Sequence, residues 1–191
     1  MSRNILLVDN LDSFSFNLVE AFERLGCKVQ VLRNSCSADA AYKQATKDKA
    51  LIILSPGPGR PEEAGSCMNL ITLAKGKLPL LGVCLGHQAI IAEGSGTVSA
   101  APAIVHGRAS RLEHDGEGLF KDLASPIRVG RYHSLCTLEP PTRFHVHARL
   151  EGMVMAVSDN QAKQFGLQFH PESILTPVGD KILSNLLESV G

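Results

Sequence analysis

Leu80-Leu81-Gly82-Val83-Cys84-Leu85-Gly86-His87-Gln88 reads as a buried strand that turns sharply into a helix at Cys84. The apolar run ending at Val83 has the character of a strand covered on both faces. Glycines two residues before and two after Cys84 leave room where strand and helix cross, and the turn pushes the cysteine side chain out into a pocket. A thiol placed there lies at the first turn of a helix, whose unpaired amides and dipole favour the thiolate. A strand-turn-helix of this kind belongs to an α/β protein.

Outward from this element the same alternation continues. Residues 5–8 form a short buried strand, and Phe14, Leu18, Phe22 and Leu25 recur at near-helical spacing until Gly26 stops the helix. Val29 and Val31 mark a second strand, residues 51–54 a third and residues 80–83 a fourth, with helices expected around 62–74 and 85–92. Strands joined by helices imply a mostly parallel central sheet with helices on both faces. After Val98 the pattern changes to short alternating runs, such as 143–150 and 153–157, which suit antiparallel strands and hairpins at one side of the sheet, and a small antiparallel sheet is expected beside the parallel one. Thr176-Pro177 opens a last helix with Val178, Ile182, Leu186 and Val190 on one stripe. There is no internal repeat or linker, and a single domain over residues 1–191 is expected.

Two further motifs complement Cys84. His170-Pro171-Glu172 follows the alternating run Phe165, Leu167, Phe169. In extended chain, residues two apart face the same side, so His170 and Glu172 can meet, with Pro171 keeping His170 out of the helical region. An imidazole can take the thiol proton and return it to a leaving amine, and a carboxylate can orient that imidazole. Ser55-Pro56-Gly57-Pro58-Gly59 follows the apolar run 50–54, where a structural turn needs only one such pair. A rigid loop with amides held toward a pocket suits an oxyanion hole, with Gly57 as one donor and the amide of Leu85, next after the nucleophile, as the other.

Ser55 to Gly59, Gly82 to Gln88 and His170 to Ser173 closely resemble the signatures of class I glutamine amidotransferases, which use a Cys-His-Glu triad on the side-chain amide of glutamine. The likeness runs through nearly the whole chain, including Leu7-Val8-Asp9-Asn10, Asp12-Ser13-Phe14, His106-Gly107 and Arg131-Tyr132-His133-Ser134-Leu135. These last segments resemble the branch that serves chorismate-using synthases. Gly152 to Val157 and His114-Asp115-Gly116 look more like its anthranilate members than its aminodeoxychorismate members. The resemblance implies a flavodoxin-like fold with Cys84 as nucleophile, His170 as base and acid, and Glu172 as orienter. It places glutamine against Gly57, Pro58, Gly59, Leu85, Gln88, Ser134 and Leu135. It implies no cofactor, L-glutamine as substrate, and a chorismate-binding synthase subunit as partner in a hetero-oligomer, with anthranilate made on the way to tryptophan. A synthase of the folate pathway, or service to both, is the alternative within enzymes. A catalytically silent regulatory subunit is the alternative outside them.

Composition agrees. Nineteen basic and nineteen acidic residues balance, and a sequence pI near 7.0 leaves no electrostatic footprint for nucleic acid or an acidic membrane. Five cysteines without a Cys-x-x-Cys pair fit a reducing compartment. No apolar leader follows the first residues and nowhere do eighteen apolar residues occur together, so a cytoplasmic location is expected. His145 and His147 share one face of a strand, but no third ligand stands at short spacing, and no metal is expected. His87 is expected to serve packing or an interface rather than act as the base. His133 either lines the binding loop or fixes its backbone.

Overall fold

The computed structural model describes residues 3–191. Its first half contains β1 (Asn4–Asp9), α1 (Ser15–Arg24), β2 (Lys28–Arg33), α2 (Ala38–Asp48), β3 (Leu51–Leu54), α3 (Cys67–Ala74), β4 (Leu80–Val83) and α4 (Leu85–Glu93). The second half holds β5 (Ser99–Ala100), β6 (Arg108–Leu112), β7 (Ile127–Arg131), β8 (Leu135–Cys136), β9 (His145–Leu150), β10 (Met153–Asp159), β11 (Gln164–Leu167) and α5 (Gly179–Ser189). Seven strands form one sheet in the order β2-β1-β3-β4-β11-β10-β9. The five from β2 to β11 are parallel, and the β10–β9 hairpin closes the edge in antiparallel sense. Two small two-stranded antiparallel sheets, β5 with β8 and β6 with β7, complete it.

The two faces carry separate apolar clusters. Leu18 and Phe22 of α1 pack with Ile182, Leu183 and Leu186 of α5 on one side. Ala41 and Ala45 of α2, Leu70 and Ile71 of α3, and Ile90 and Ile91 of α4 cover the other. Every residue of β3 and β4 is buried, as their unbroken apolar runs require. No helix among the described residues is long and apolar enough to cross a membrane.

Several elements differ from the sequence reading. Helix α2 carries no large apolar periodicity, because only alanines (Ala38, Ala41, Ala45) face the sheet; the Ser37 hydroxyl caps it by accepting the Ala40 amide at 3.1 Å. The helix expected from residue 62 begins at Cys67, after a single 3-10 turn at Pro61–Glu63. Gly65 lies between them at φ +57°, a left-handed conformation that suits glycine and interrupts the helix. The hairpin of β9 and β10 stands at one side of the central sheet, as expected, and continues it as its antiparallel edge. The last helix starts at Gly179, with Val178 at its N-cap.

Candidate active site

Cys84 occupies the junction of β4 and α4 at φ 52°, ψ −101°, a conformation that L-residues adopt only when their surroundings enforce it. The enforcement is visible. The Cys84 amide donates to the Leu167 carbonyl at 2.8 Å and its carbonyl accepts from the Gln88 amide at 3.0 Å. A Cβ on Gly82 would overlap the backbone of Gly86 and His87, and one on Gly86 would overlap the Leu54 carbonyl. The two glycines that flank the cysteine are therefore there for close approach of helix to strand.

The Ser55-to-Gly59 loop is bolted to the end of β1. Ser55 Oγ accepts from the Asn10 amide at 2.8 Å, and Asn10 Nδ2 donates to the Ser55 carbonyl at 2.8 Å. A Cβ on Gly57 would meet the Asn10 Cβ at 2.5 Å and the Leu85 side chain at 2.7 Å, so only glycine lets the loop lie against the elbow. Gly59 has φ +78°, again a glycine conformation. Neither the Gly57 amide nor the Leu85 amide has an acceptor among the described residues.

His170 and Glu172 meet as their spacing requires: Nδ1 lies 2.7 Å from Glu172 Oε1, and both side chains are almost fully buried. The His170 backbone is pinned by hydrogen bonds from its amide to the Gly130 carbonyl (3.0 Å) and from Thr176 Oγ1 to its own carbonyl (2.7 Å). Phe14 and Tyr132 close on the ring edge-on, with centroids at 5.3 and 4.8 Å. His170 Nε2 is buried with no hydrogen-bond partner among the described residues, and Cys84 is among the groups that act on the charge of the ring. Burial would lower the His170 pKa; the pull of Cys84, the hydrogen bond to Glu172 and the charge of both outweigh it and raise it to about 10.

A cavity of about 250 Å³ opens at Cys84 and is lined by Gly57, Pro58, Gly59, Gln88, Ser134 and Leu135 among others. All the predicted substrate-binding residues except Leu85, whose side chain packs against Gly57 and into an apolar cluster, line this one space. The volume is below the ~300–1,000 Å³ of drug-sized clefts and suits a single amino acid.

Some neighbours were not assigned a role from sequence. Asp12, His106 and Tyr132 line the same cavity. Gln168 is fully buried, directs its Nε2 to Cys84 Sγ at 3.7 Å, and accepts at Oε1 from Gln88 Nε2 at 3.1 Å. Gln88 Nε2 also reaches the Leu135 carbonyl at 3.2 Å. The signal for Gln168 was its position two residues before His170, on the same face of an extended run. His133 fixes the loop: its Nδ1 lies 3.0 Å from the Leu135 carbonyl and its Nε2 accepts from Arg131 Nε at 3.3 Å. That arrangement needs a neutral ring with the proton on Nδ1. Burial first, and then the nearby Arg131 and His170 charges, take its pKa down to about 4 despite the Leu135 hydrogen bond. His87 is wholly buried, which lowers its pKa to about 3, and it packs against Gly166, where a Cβ would strike its ring. It serves packing, one of the two roles expected for it, and its burial leaves it out of any interface.

A parallel sheet with a strained cysteine elbow, a proline-glycine loop and a histidine-carboxylate pair at its carboxyl edge defines a class of enzyme. Residues 6–190 match the family described as glutamine amidotransferase class-I, and the chain belongs to that family. It is a glutamine amidotransferase. Anthranilate synthase component 2 of Haemophilus influenzae is 45% identical over 186 residues, covering 97% of this chain and 96% of the relative. The protein of the same description from Vibrio parahaemolyticus is 43% identical over 186 residues, covering 97% and 95%. A glutamine amidotransferase structure from Thermotoga maritima superposes with a TM-score of 0.76 at 18% identity, over all of this chain and 96% of that one, which shows the shared fold.

Proposed function

We propose that this chain is the glutaminase subunit of an anthranilate synthase, hydrolysing L-glutamine at Cys84 and passing ammonia to a chorismate-using subunit. The observation that carries the reading is the single small cavity in which Cys84 meets Gly57, Gln88, Ser134 and Leu135, beside the buried His170–Glu172 pair.

The chemistry follows from those positions. The Cys84 thiolate attacks the carboxamide carbon of glutamine, and the amides of Gly57 and Leu85 hold the oxygen that becomes negative. His170, held as the imidazolium by its neighbours, gives its proton to the departing nitrogen, so ammonia leaves and a glutamyl thioester remains. Water then attacks the thioester with neutral His170 as base, releasing glutamate and regenerating the thiolate-imidazolium pair. Glu172 keeps the proton-bearing Nδ1 pointed away, so that Nε2 handles every transfer.

Ammonia released into water is protonated and no longer nucleophilic, which calls for a partner sealed against the mouth of the cavity. Support for such a surface lies in four large apolar side chains that face solvent close in sequence to residues of the site: Leu11 precedes and Ile104 lies two before the cavity residues Asp12 and His106, while Phe16 and Ile174 lie two after Phe14 and Glu172, which contact His170. Partner and chorismate binding would favour the competent arrangement of the 55–59 and 134–135 loops, raising glutaminase activity. The anthranilate assignment rests on the relatives at 43–45% identity.

The test mixes this chain separately with an anthranilate synthase component 1 and with the chorismate-binding subunit of aminodeoxychorismate synthase, and follows glutamine-dependent product. Anthranilate formation with the first, lost in Cys84→Ser while ammonia-dependent synthesis persists, is the expected result. Product only with the second moves the enzyme to the folate pathway. Glutaminase rates that are the same alone and with partner plus chorismate would refute the coupling.

A further inference from the structure

His145 and His147 stand two apart on β9 and share a face, which by itself is a common arrangement on a half-exposed strand. The fold adds what sequence spacing did not show: Asp115, from the loop after β6, places one carboxylate oxygen between them. Asp115 Oδ2 lies 2.7 Å from His145 Nε2 and 2.9 Å from His147 Nδ1. The ligand atoms of the three side chains fall within 4.8 Å of one another. We propose that Asp115, His145 and His147 form a binding site for a divalent transition metal of the zinc class, separate from the glutaminase centre.

The second contacts of these residues are what a metal site needs. Asp115 Oδ1 accepts from the Glu117 amide at 2.9 Å, which leaves Oδ2 as the inward-facing oxygen. His147 is buried, and its far nitrogen, Nε2, lies 2.8 Å from Ser158 Oγ, which sets the plane of the ring and directs Nδ1 inward. A serine hydroxyl can donate or accept. His147 can therefore move its proton from Nδ1 to Nε2, freeing the Nδ1 lone pair for a metal without losing its partner. His145 is half-exposed, so water serves its Nδ1 after the same change of tautomer.

Binding requires the three side chains to rearrange around the ion, because the two histidine nitrogens lie up to 4.8 Å apart. Zn–N and Zn–O bonds of about 2.0–2.2 Å at tetrahedral angles put neighbouring ligand atoms roughly 3.3 Å apart. The two contacts to Asp115 must open by about half an ångström and the two histidine nitrogens must close by up to about 1.5 Å, a movement left to the solvent-exposed His145 side chain. Two imidazoles and one carboxylate supply three ligands and suit zinc, cobalt or nickel over magnesium or calcium. Glu117 and Lys163 line the adjoining cleft of about 750 Å³, along with His145 and His147, so a fourth position can be filled by water.

The location indicates the effect. Ser158 pairs with Phe165 and His145 with Ser158, toward the edge of the sheet where β4 and β11 begin, whereas Cys84 lies where β4 ends. An ion there would clamp the edge strand β9 to the Asp115 loop and would not touch glutamine.

Isothermal titration of the metal-free full chain with zinc chloride tests the site, alongside Asp115→Asn, His145→Gln and, because a thiolate also binds zinc, Cys84→Ser. Expected are one saturable equivalent in the unmodified chain and in Cys84→Ser, and affinity at least tenfold weaker in Asp115→Asn and in His145→Gln. Cobalt in place of zinc should give the visible bands of a four-coordinate nitrogen and oxygen site without a thiolate charge-transfer band. Zinc should raise the melting temperature of the unmodified chain and not that of His145→Gln. The two surface substitutions are chosen because they spare the buried His147, and circular dichroism verifies their folding. Absence of saturable binding, or binding that survives both substitutions or disappears in Cys84→Ser, overturns the proposal.

Discussion

Replacing Gln168 by leucine removes the donor aimed at Cys84 while nearly preserving side-chain volume. Gln168 is fully buried and its amide joins two groups, donating to Cys84 Sγ at 3.7 Å and accepting from Gln88 Nε2 at 3.1 Å. A hydrogen bond to a charged group contributes about 1.5–3 kcal/mol. The long N–H to sulfur contact belongs at the lower end of that range. With a tenfold change per 1.4 kcal/mol, kcat/KM for glutamine in the presence of partner and chorismate should fall roughly tenfold to thirtyfold. Gln88 keeps the Leu135 carbonyl as a partner at 3.2 Å, so the fold should survive and KM should change less than kcat. The rate of Cys84 alkylation by iodoacetamide at one fixed pH supplies a second reading. If the Gln168 amide acts on the sulfur, that rate changes in the variant. A kcat/KM within twofold of the unmodified enzyme together with an unchanged alkylation rate would refute the reasoning, and a large loss with the rate unchanged would point to packing alone.

Gly86→Ala should destabilise the protein by at least about 1–3 kcal/mol, the cost of overpacking, because its Cβ would enter the Leu54 backbone; urea denaturation measures it, and a neutral change would mean the elbow can relax. Glu172→Gln should bring the His170 pKa down, since burial is then less opposed. The raised pKa means that protonated His170 contributes its full stability below about pH 6.5 and loses it as pH rises through about 10, so in the variant that loss moves to lower pH; imidazole nitrogen NMR follows the titration. Arg143 donates to Asp159 at 2.8 Å and to Glu93 at 3.2 Å. Arg143→Met should cost about 2–3 kcal/mol, less than the ~3–5 for a fully buried pair because the guanidinium is partly exposed. Burial would raise the Asp159 pKa, but the Ala162 and Gln161 amides and Arg143 together lower it. Its ionised form therefore stabilises above about pH 3.9 and loses effect as pH falls through the depressed value. The gap between variant and parent should narrow in acid; equal gaps at pH 7 and in acid, by urea denaturation, would count against this pairing.

Local pattern carried much of the fold. The apolar runs of β1, β3 and β4, the helical spacing of α1 and the glycines around Cys84 each express a constraint that acts within a few residues. The same holds for His170 and Glu172, which meet because extended chain sets residues two apart on one side. Helix α2 escaped because alanines packed on the sheet leave no periodic contrast, and the helix expected from residue 62 ran too far because a left-handed glycine interrupts it.

Other features were settled only by tertiary structure. Cys84 meets Gln168 across 84 positions of sequence because β11 lies beside β4 in register, Leu167 against Val83. Asp115 reaches His147 because the loop after β6 hydrogen-bonds to β9, where the Asp115 amide donates to the His147 carbonyl at 3.0 Å. Residue types and their spacing specify what each segment can do alone, since backbone sterics and burial act locally. Which distant side chains share a hydrogen bond depends on strand order and register, which arise from the packing of the whole sheet.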